Sequence, residues 1–528
     1  MVRRSLAAAL LLASSAAAPA AWQKASSRYF IVYSDDTPDH VRAYTERLEK
    51  FDKAIRVWHQ APEDVRGDSA RVTVFVVGNI GAIQKLAGYG GVAGFYDPHA
   101  GGSVAFVPRS SGEGGDYGMR PQAILFHEYT HHWMLTNWTD AAMPPWYVEG
   151  AAELHATAEF RGGGVTFGAP PLYRGYTVDN YNLLPADMLV RPNPGKLDGE
   201  RRDALYSRGW LLTHYLTFDP GRRKQLADYL AAINAGKSGD AAAEAFGGTG
   251  GLDLRLNGYL RSIATHHPYF TAAADQLAIG PIALRPLTAA EAAVMPAYMA
   301  SKRGVSAATA PQVATLAEGA AAHFASDAFV QDEVAEAEYD ACSTDKKADA
   351  SCFARSEAAA ERALALDPRS IHALVYKGMA QEAAARRAKV TDPVRWTAIR
   401  RVYLAANKVD PNAPEPLLRY YTSFADSGAE PTANAEGGML YAYQLAPYDP
   451  DVRLNATRVL LHQKDAARAR VAVAPVAYNL DDAGHAAFGQ KVLAALDKDG
   501  SAAALAEFGK ADAEARKKEA DPGKPKAG

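Results

Sequence analysis

The chain is 528 residues long, 48% hydrophobic and 22% charged, with a formal net charge of −3. That length predicts two or three domains. The near-neutral balance removes any electrostatic case for binding nucleic acid or an anionic membrane surface, and a count of two cysteines excludes a cysteine-built zinc site.

At the N-terminus, Arg3 and Arg4 precede an apolar stretch over residues 6–18, and Ala18-Pro19-Ala20 reads as an A-x-A-like cleavage site. Residues 1–20 are therefore expected to be a removable signal peptide, with the mature protein secreted or periplasmic. The stretch is too short to span a bilayer, and no cysteine beside it offers a lipid anchor. No later run approaches 18 apolar residues, so no transmembrane anchor is expected. Residues 28–34 and 71–77 are β-branched and aromatic runs of strand length. Between them Val41, Tyr44, Leu48, Phe51, Ile55 and Trp58 repeat at helical spacing. Residues 94–96 and 102–107 read as a hairpin around Asp97-Pro98-His99-Ala100-Gly101. Residues 112–118, rich in Gly and Ser, read as a mobile loop.

Next comes His127-Glu128-Tyr129-Thr130-His131. On a helix the two histidines share one face and can reach one zinc ion, while Glu128 sits where a carboxylate can take a proton from water. Pro121 suits a helix first turn, residues 122–134 contain no breaker, and Asn137, Thr139 and Asp140 end the helix. Pro144-Pro145 can open a second helix that places Glu149 and Glu153 on one face. Buried carboxylates are costly unless paired or bound to metal, so two such helices side by side point to a zinc site. His132 projects about 100° from His131 and is expected to be a hydrogen-bonded structural residue.

His127-Glu-x-x-His131 with a downstream Glu149-Gly150 resembles the gluzincin metallopeptidases, which include thermolysin and the aminopeptidase N-type enzymes. The segment from Pro144 to Glu153 is most similar to the peptidase MA-like group. The resemblance implies zinc held by His127, His131 and Glu149, with Glu128 as general base and Glu153 orienting a ligand histidine. The metzincin arrangement fails, because no Gly-x-x-His follows His131. Tyr206, in Tyr206-Ser207-Arg208-Gly209, resembles the oxyanion-stabilising tyrosine of aminopeptidase N-type enzymes. Tyr147 and Arg208 are weaker candidates, expected to be a packed aromatic and a solvated charge. The resemblance also implies that the last strand before the metal helix is an edge that pairs with extended substrate. That role falls on Ser103, Val104, Ala105, Phe106 and Val107, with an ordinary covered edge as the alternative. No Gly-x-Met-Glu-Asn type of segment precedes His127, so an aminopeptidase is less supported than other peptidase action.

Downstream, residues 157–200 read as loops over the cleft, and residues 203–269 as helical. Domain one is expected to end near 270, with a connector over 271–310. Residues 311–515 are Ala-rich helix with a weak repeat ending at Asp367-Pro368, Asp410-Pro411 and Asp449-Pro450. Spacings of 43 and 39 residues exceed the tetratricopeptide period of 34, so that resemblance is partial. The repeat either presents a concave surface to a protein partner or braces the first domain. Cys342 and Cys352 are expected to form one disulfide between two helices, and residues 516–528 to be disordered. The expected fold class is α+β: a gluzincin-type catalytic domain, mixed sheet plus helical subdomain, followed by an all-α helical-repeat domain. The expected function is an exported zinc metallopeptidase acting on a peptide or protein. The alternative is a non-enzymatic scaffold whose peptidase domain holds zinc but is inactive.

Overall fold

The computed structural model describes residues 22–63, 67–88, 90, 93–110 and 120–520. The expected signal peptide over residues 1–20 and the expected loop over 112–118 lie outside them. The chain combines a mixed six-stranded sheet with a long helical stretch, an α+β architecture. Among the described residues no helix is long and apolar enough to cross a membrane.

The first part runs β1 (Gln23–Ser26), β2 (Phe30–Ser34), α1 (Pro38–His59), β3 (Val72–Asn79), α2 (Ile80–Ala87), β4 (Phe95–Asp97) and β5 (Val104–Ser110). Thr37 starts α1 by accepting the His40 N–H, and Pro38 supplies the fixed φ of the first turn. Strands β2, β3 and β5 are parallel and buried almost throughout, as strands covered on both faces must be. The sheet order is β4-β5-β3-β2-β1, with one further strand beyond β1. That strand is β9 below, paired antiparallel with β1 from Gln23↔Pro286 to Ser26↔Ala283.

The expected hairpin is present, with Phe95 opposite Phe106 and Asp97 opposite Val104. Its consequence corrects the substrate-strand expectation. Val104, Ala105 and Phe106 pair with β4 on one side and β3 on the other, so they have no free backbone edge. The Ser103 carbonyl accepts from the Thr73 N–H, and Val107 pairs with Val76. Among the described residues the edge of the sheet on this side is β4, and the opposite edge is β9.

After the sheet come α3 (Pro121–Asn137), α4 (Pro145–Ala156), β6 (Glu159–Arg161), β7 (Gly164–Phe167), α5 (Ala186–Leu189) and α6 (Gly199–Thr217). Then follow α7 (Pro220–Asn234), α8 (Gly239–Ala243), α9 (Leu252–Ile263), β8 (Phe270–Ala272) and β9 (Ala283–Pro286). Strands β6, β7 and β8 form a small antiparallel sheet. Because β8 and β9 complete the two sheets, the stretch expected to be a connector from 271 belongs partly to the first domain. Eleven of the twelve residues of α4 are buried, and α6 lies directly against it. Two glycines permit this approach. A Cβ on Gly209 would stand 2.5 Å from the Trp146 carbonyl oxygen, and one on Gly150 would collide with the Gly209 backbone.

From α10 (Ala289–Lys302) to α21 (Ser501–Ala520) the chain is helical, each helix packed on its sequence neighbours. Asp367 and Asp410 end helices as expected. Asp449 does not: it caps the start of the next helix by accepting the Val452 N–H at 2.8 Å. Cys342 and Cys352 are joined in a disulfide, their Cα atoms 5.8 Å apart. The last helix reaches Ala520, five residues into the tail expected to be disordered from 516.

Two histidines buried in the first domain are held neutral. His155 donates from Nδ1 to the Ala151 carbonyl at 2.7 Å, and burial pulls it down to about 4. His214 lies between Tyr259 OH (2.8 Å) and the Gly168 carbonyl (3.2 Å), and burial brings it to about 4 as well. Both values lie below the ordinary 6.5, so the folded chain binds fewer protons than the unfolded one. Their contribution to stability is therefore expected to be complete above about pH 6.5 and to fall away toward pH 4. Thermal unfolding across that window checks this, and His214→Gln should flatten part of the loss. Gly209→Ala is expected to lower the unfolding free energy by about 1–3 kcal/mol, seen as a lower urea midpoint.

Candidate metal centre

The rotation of α3 is fixed before its histidines are considered. Phe126 stacks on Phe51 of α1 with ring centroids 3.8 Å apart. Tyr129 OH donates to Asp52 Oδ1 at 2.7 Å, and Arg56 Nε donates to the other oxygen of the same carboxylate at 2.7 Å. On another side His132 Nδ1 lies 2.6 Å from Tyr96 OH, the hydrogen-bonded structural role expected of it. These contacts leave His127 and His131 facing α4.

There they meet Glu149. The Nε2 atoms of His127 and His131 are 3.1 Å apart, and Glu149 Oε2 lies 3.3 Å from the first and 3.5 Å from the second. A tetrahedral ion with bonds of about 2.0–2.1 Å sets its ligand atoms roughly 3.3–3.4 Å apart. The triangle fits such an ion. Glu149 Oε2 is also buried without a hydrogen-bond partner of good geometry, which a cation at the centre would remedy. Two imidazoles and one carboxylate are a donor set for a borderline-soft divalent metal.

Charge holds the same atoms together. Burial acts to lower the His127 pKa, but the Glu149 and Glu153 carboxylates beside its two ring nitrogens raise it to about 10. Burial acts to raise Glu149, and the positive field of His131 and His127 overrides it and pulls the carboxyl far down. Glu153, fully buried, lies 3.4 Å from His127 Nδ1, on the far side of the ring from Glu149. Glu128 lines a cavity of about 500 Å³ beside the triangle, and burial raises its carboxyl. Tyr206 lies against the site with its ring 5.6 Å from that of His127, its hydroxyl pushed up first by the Glu149 charge.

Several partners carry no local signal in the sequence. Glu153 accepts from Tyr173 OH at 2.7 Å and Arg174 Nε at 3.1 Å, and Arg174 also reaches Asp203 at 2.6 Å. Tyr173 and Arg174 come from the segment expected to be loop, where no periodicity marks them. The cavity has a second wall as well, built from Tyr448, Asp449, Asp451, Tyr478, Asp481 and His485 of the helical part. Asp481 faces the site closely enough that its carboxyl is raised by burial and then by Glu149.

Of the weaker candidates, Tyr147 is a packed aromatic, 7% exposed. Arg208 is not solvated: it is fully buried, and its Nη2 donates to Asp253. Among the described residues a second group with metal-ligating atoms, Glu333, Glu336 and His372, lies in the helical part. There the Lys302 ammonium already donates to both oxygens of Glu336, at 3.0 and 2.7 Å.

Comparison with known proteins finds no matching family model, no matching curated protein and no matching solved structure.

Removing Arg174 would leave Glu153 buried with less counter-charge. Arg174→Ala is expected to cost about 1–3 kcal/mol of stability, discounted because Arg174 is partly exposed, and urea unfolding checks it.

Proposed function

We propose that this chain is an exported zinc metallopeptidase of gluzincin type, hydrolysing peptide bonds. The observation that carries the reading is the convergence of His127, His131 and Glu149 on one point, at the edge of a cavity that Glu128 also lines. Three protein ligands leave a fourth position open, the arrangement of a hydrolytic rather than a structural zinc.

When bound, zinc supplies Lewis acidity, polarising the scissile carbonyl and lowering the pKa of a water toward about 7. The chain's own residues do the rest. Glu128 takes the proton of the attacking water on its carboxylate and delivers it to the leaving amine. Glu153 holds the Nδ1 side of His127, fixing the ring so that Nε2 points at the site. Tyr206 offers an O–H to the oxyanion that develops on the carbonyl oxygen. The covered position of β5 moves any backbone pairing with substrate to β4, whose outer edge has no strand neighbour among the described residues.

Glu128→Gln is expected to abolish hydrolysis of a peptide library while zinc content, measured by elemental analysis, persists. His131→Ala is expected to lose the zinc and the activity together. Retained hydrolysis in Glu128→Gln would refute the assignment of the base.

A further inference from the structure

The cavity beside the metal triangle is a chamber with walls from two parts of the chain. One wall is β4 with its following turn, α3 and α4, and the other comes from residues 448–485 of the helical part. Specific contacts hold the walls together. The Ala100 N–H donates to Asp449 Oδ2 at 2.7 Å, buried, and the ring of Tyr448 lies 4.5 Å from that of His132. Arg202 of α6 donates to Asp481 at 2.8 Å and to the Leu480 carbonyl at 3.3 Å. Away from the chamber, Ser69 Oγ donates to Asp410 at 2.6 Å. The helical part is therefore fastened on more than one side of the chamber.

Size and charge follow from these walls. A volume of about 500 Å³ is that of a site for one drug-sized ligand, so it admits a few residues of peptide. Seven carboxylates face the chamber against one arginine and three histidines. Two of those carboxylates are the ligand Glu149 and the base Glu128. On the helical wall His485 is shared between Asp451 and Asp482, while Asp481 has Arg202 at the rim. Arg453 is buried; its Nε and Nη1 donate to the Pro447 and Ala472 carbonyls and Tyr443, while Nη2 has no hydrogen-bond partner. Asp97 is met by His99 at 3.0 Å, and the seven carboxylates exceed Arg453, Arg202, His99, His485 and a divalent ion on the triangle by a single charge.

We propose that the chamber takes short, positively charged peptides, with the helical part limiting their length and Asp481 contributing to the selection for cationic groups. This rests on the peptidase reading for its chemistry, but the selection itself is a property of binding. A folded chain, or a long one bound through its middle, must pass both walls and is excluded. An ammonium or guanidinium group entering the chamber gains the field of its acidic wall, whereas an acidic peptide meets like charge.

The test measures binding by calorimetry on the full-length, zinc-loaded Glu128→Gln chain, and hydrolysis on the zinc-loaded wild type. The probes are an octapeptide flanked by lysines, its glutamate counterpart, and an unstructured peptide of about 30 residues, roughly 100 Å when extended, carrying the lysine sequence at its centre. The lysine octapeptide is expected to bind roughly tenfold tighter than the glutamate one, the effect of about two solvent-accessible ion pairs. It is also expected to bind at least about tenfold tighter than the long peptide. Asp481→Asn, added to the same chain, should reduce the lysine preference by about threefold with zinc content unchanged. Equal binding of the lysine and glutamate octapeptides, or equal binding of the long peptide, overturns the proposal. An unchanged preference in Asp481→Asn overturns the part given to that residue. Selective binding without hydrolysis by wild type would support the chamber and refute the peptidase reading, which keeps the two failures apart.

Discussion

Two carboxylates buried on one helix set the terms for the rest of this molecule. Glu149 and Glu153 are 5% and 0% exposed, and such groups are tolerated only where counter-charge and hydrogen bonds meet them. The chain answers with His127 and His131 on one side, and Tyr173 and Arg174 on the other. Each answer needs its own support. The histidines need α3 rotated correctly, which Phe51, Asp52 and Arg56 of α1 achieve through Phe126 and Tyr129. Arg174 is held in turn by Asp203 on α6, the helix that also brings Tyr206 to the site. Gly150 and Gly209 let α4 and α6 approach closely enough for this network to close.

Much of this was legible in the residues because it is local. A four-residue spacing places His127 with His131, and Glu149 with Glu153, on single helix faces whatever the rest of the fold does. Prolines at 121 and 145 mark where α3 and α4 begin. The hairpin over β4 and β5 was legible for the same reason. Which of its two strands forms the sheet edge was not, because strand order depends on partners distant in sequence. Tyr173 and Arg174 sit in an aperiodic segment, so only the folded chain shows that they meet Glu153. Arg208 reads as a charge on a helix surface until α9 supplies Asp253 and covers it. Asp449 shares its Asp-Pro wording with two helix ends yet starts a helix, since the dipeptide suits either boundary.

The helical part changes character when placed beside the first domain. From sequence it offered two roles, a surface for a partner or a brace. In the structure it does brace, through Tyr448 on His132 and Asp449 on the turn after β4. The same residues also face the cavity next to the His127–His131–Glu149 triangle. Support and enclosure are therefore one arrangement, and the environment of the site depends on residues more than 300 positions downstream of His131.

Asp449 also bears on how the chain assembles. One of its oxygens accepts the Val452 N–H, a local bond, and the other accepts the Ala100 N–H across 349 residues. The local bond needs only one helix turn and can form as soon as that helix nucleates. It then holds the carboxylate in place for a partner that arrives much later, when the two ends of a very long loop meet. Closing such a loop has an entropic cost that grows only slowly with length, but it delays the encounter. The half that carries the His127–His131–Glu149 triangle meets its second wall only across that long loop, so the formation of the triangle and the closure of the chamber are separable steps.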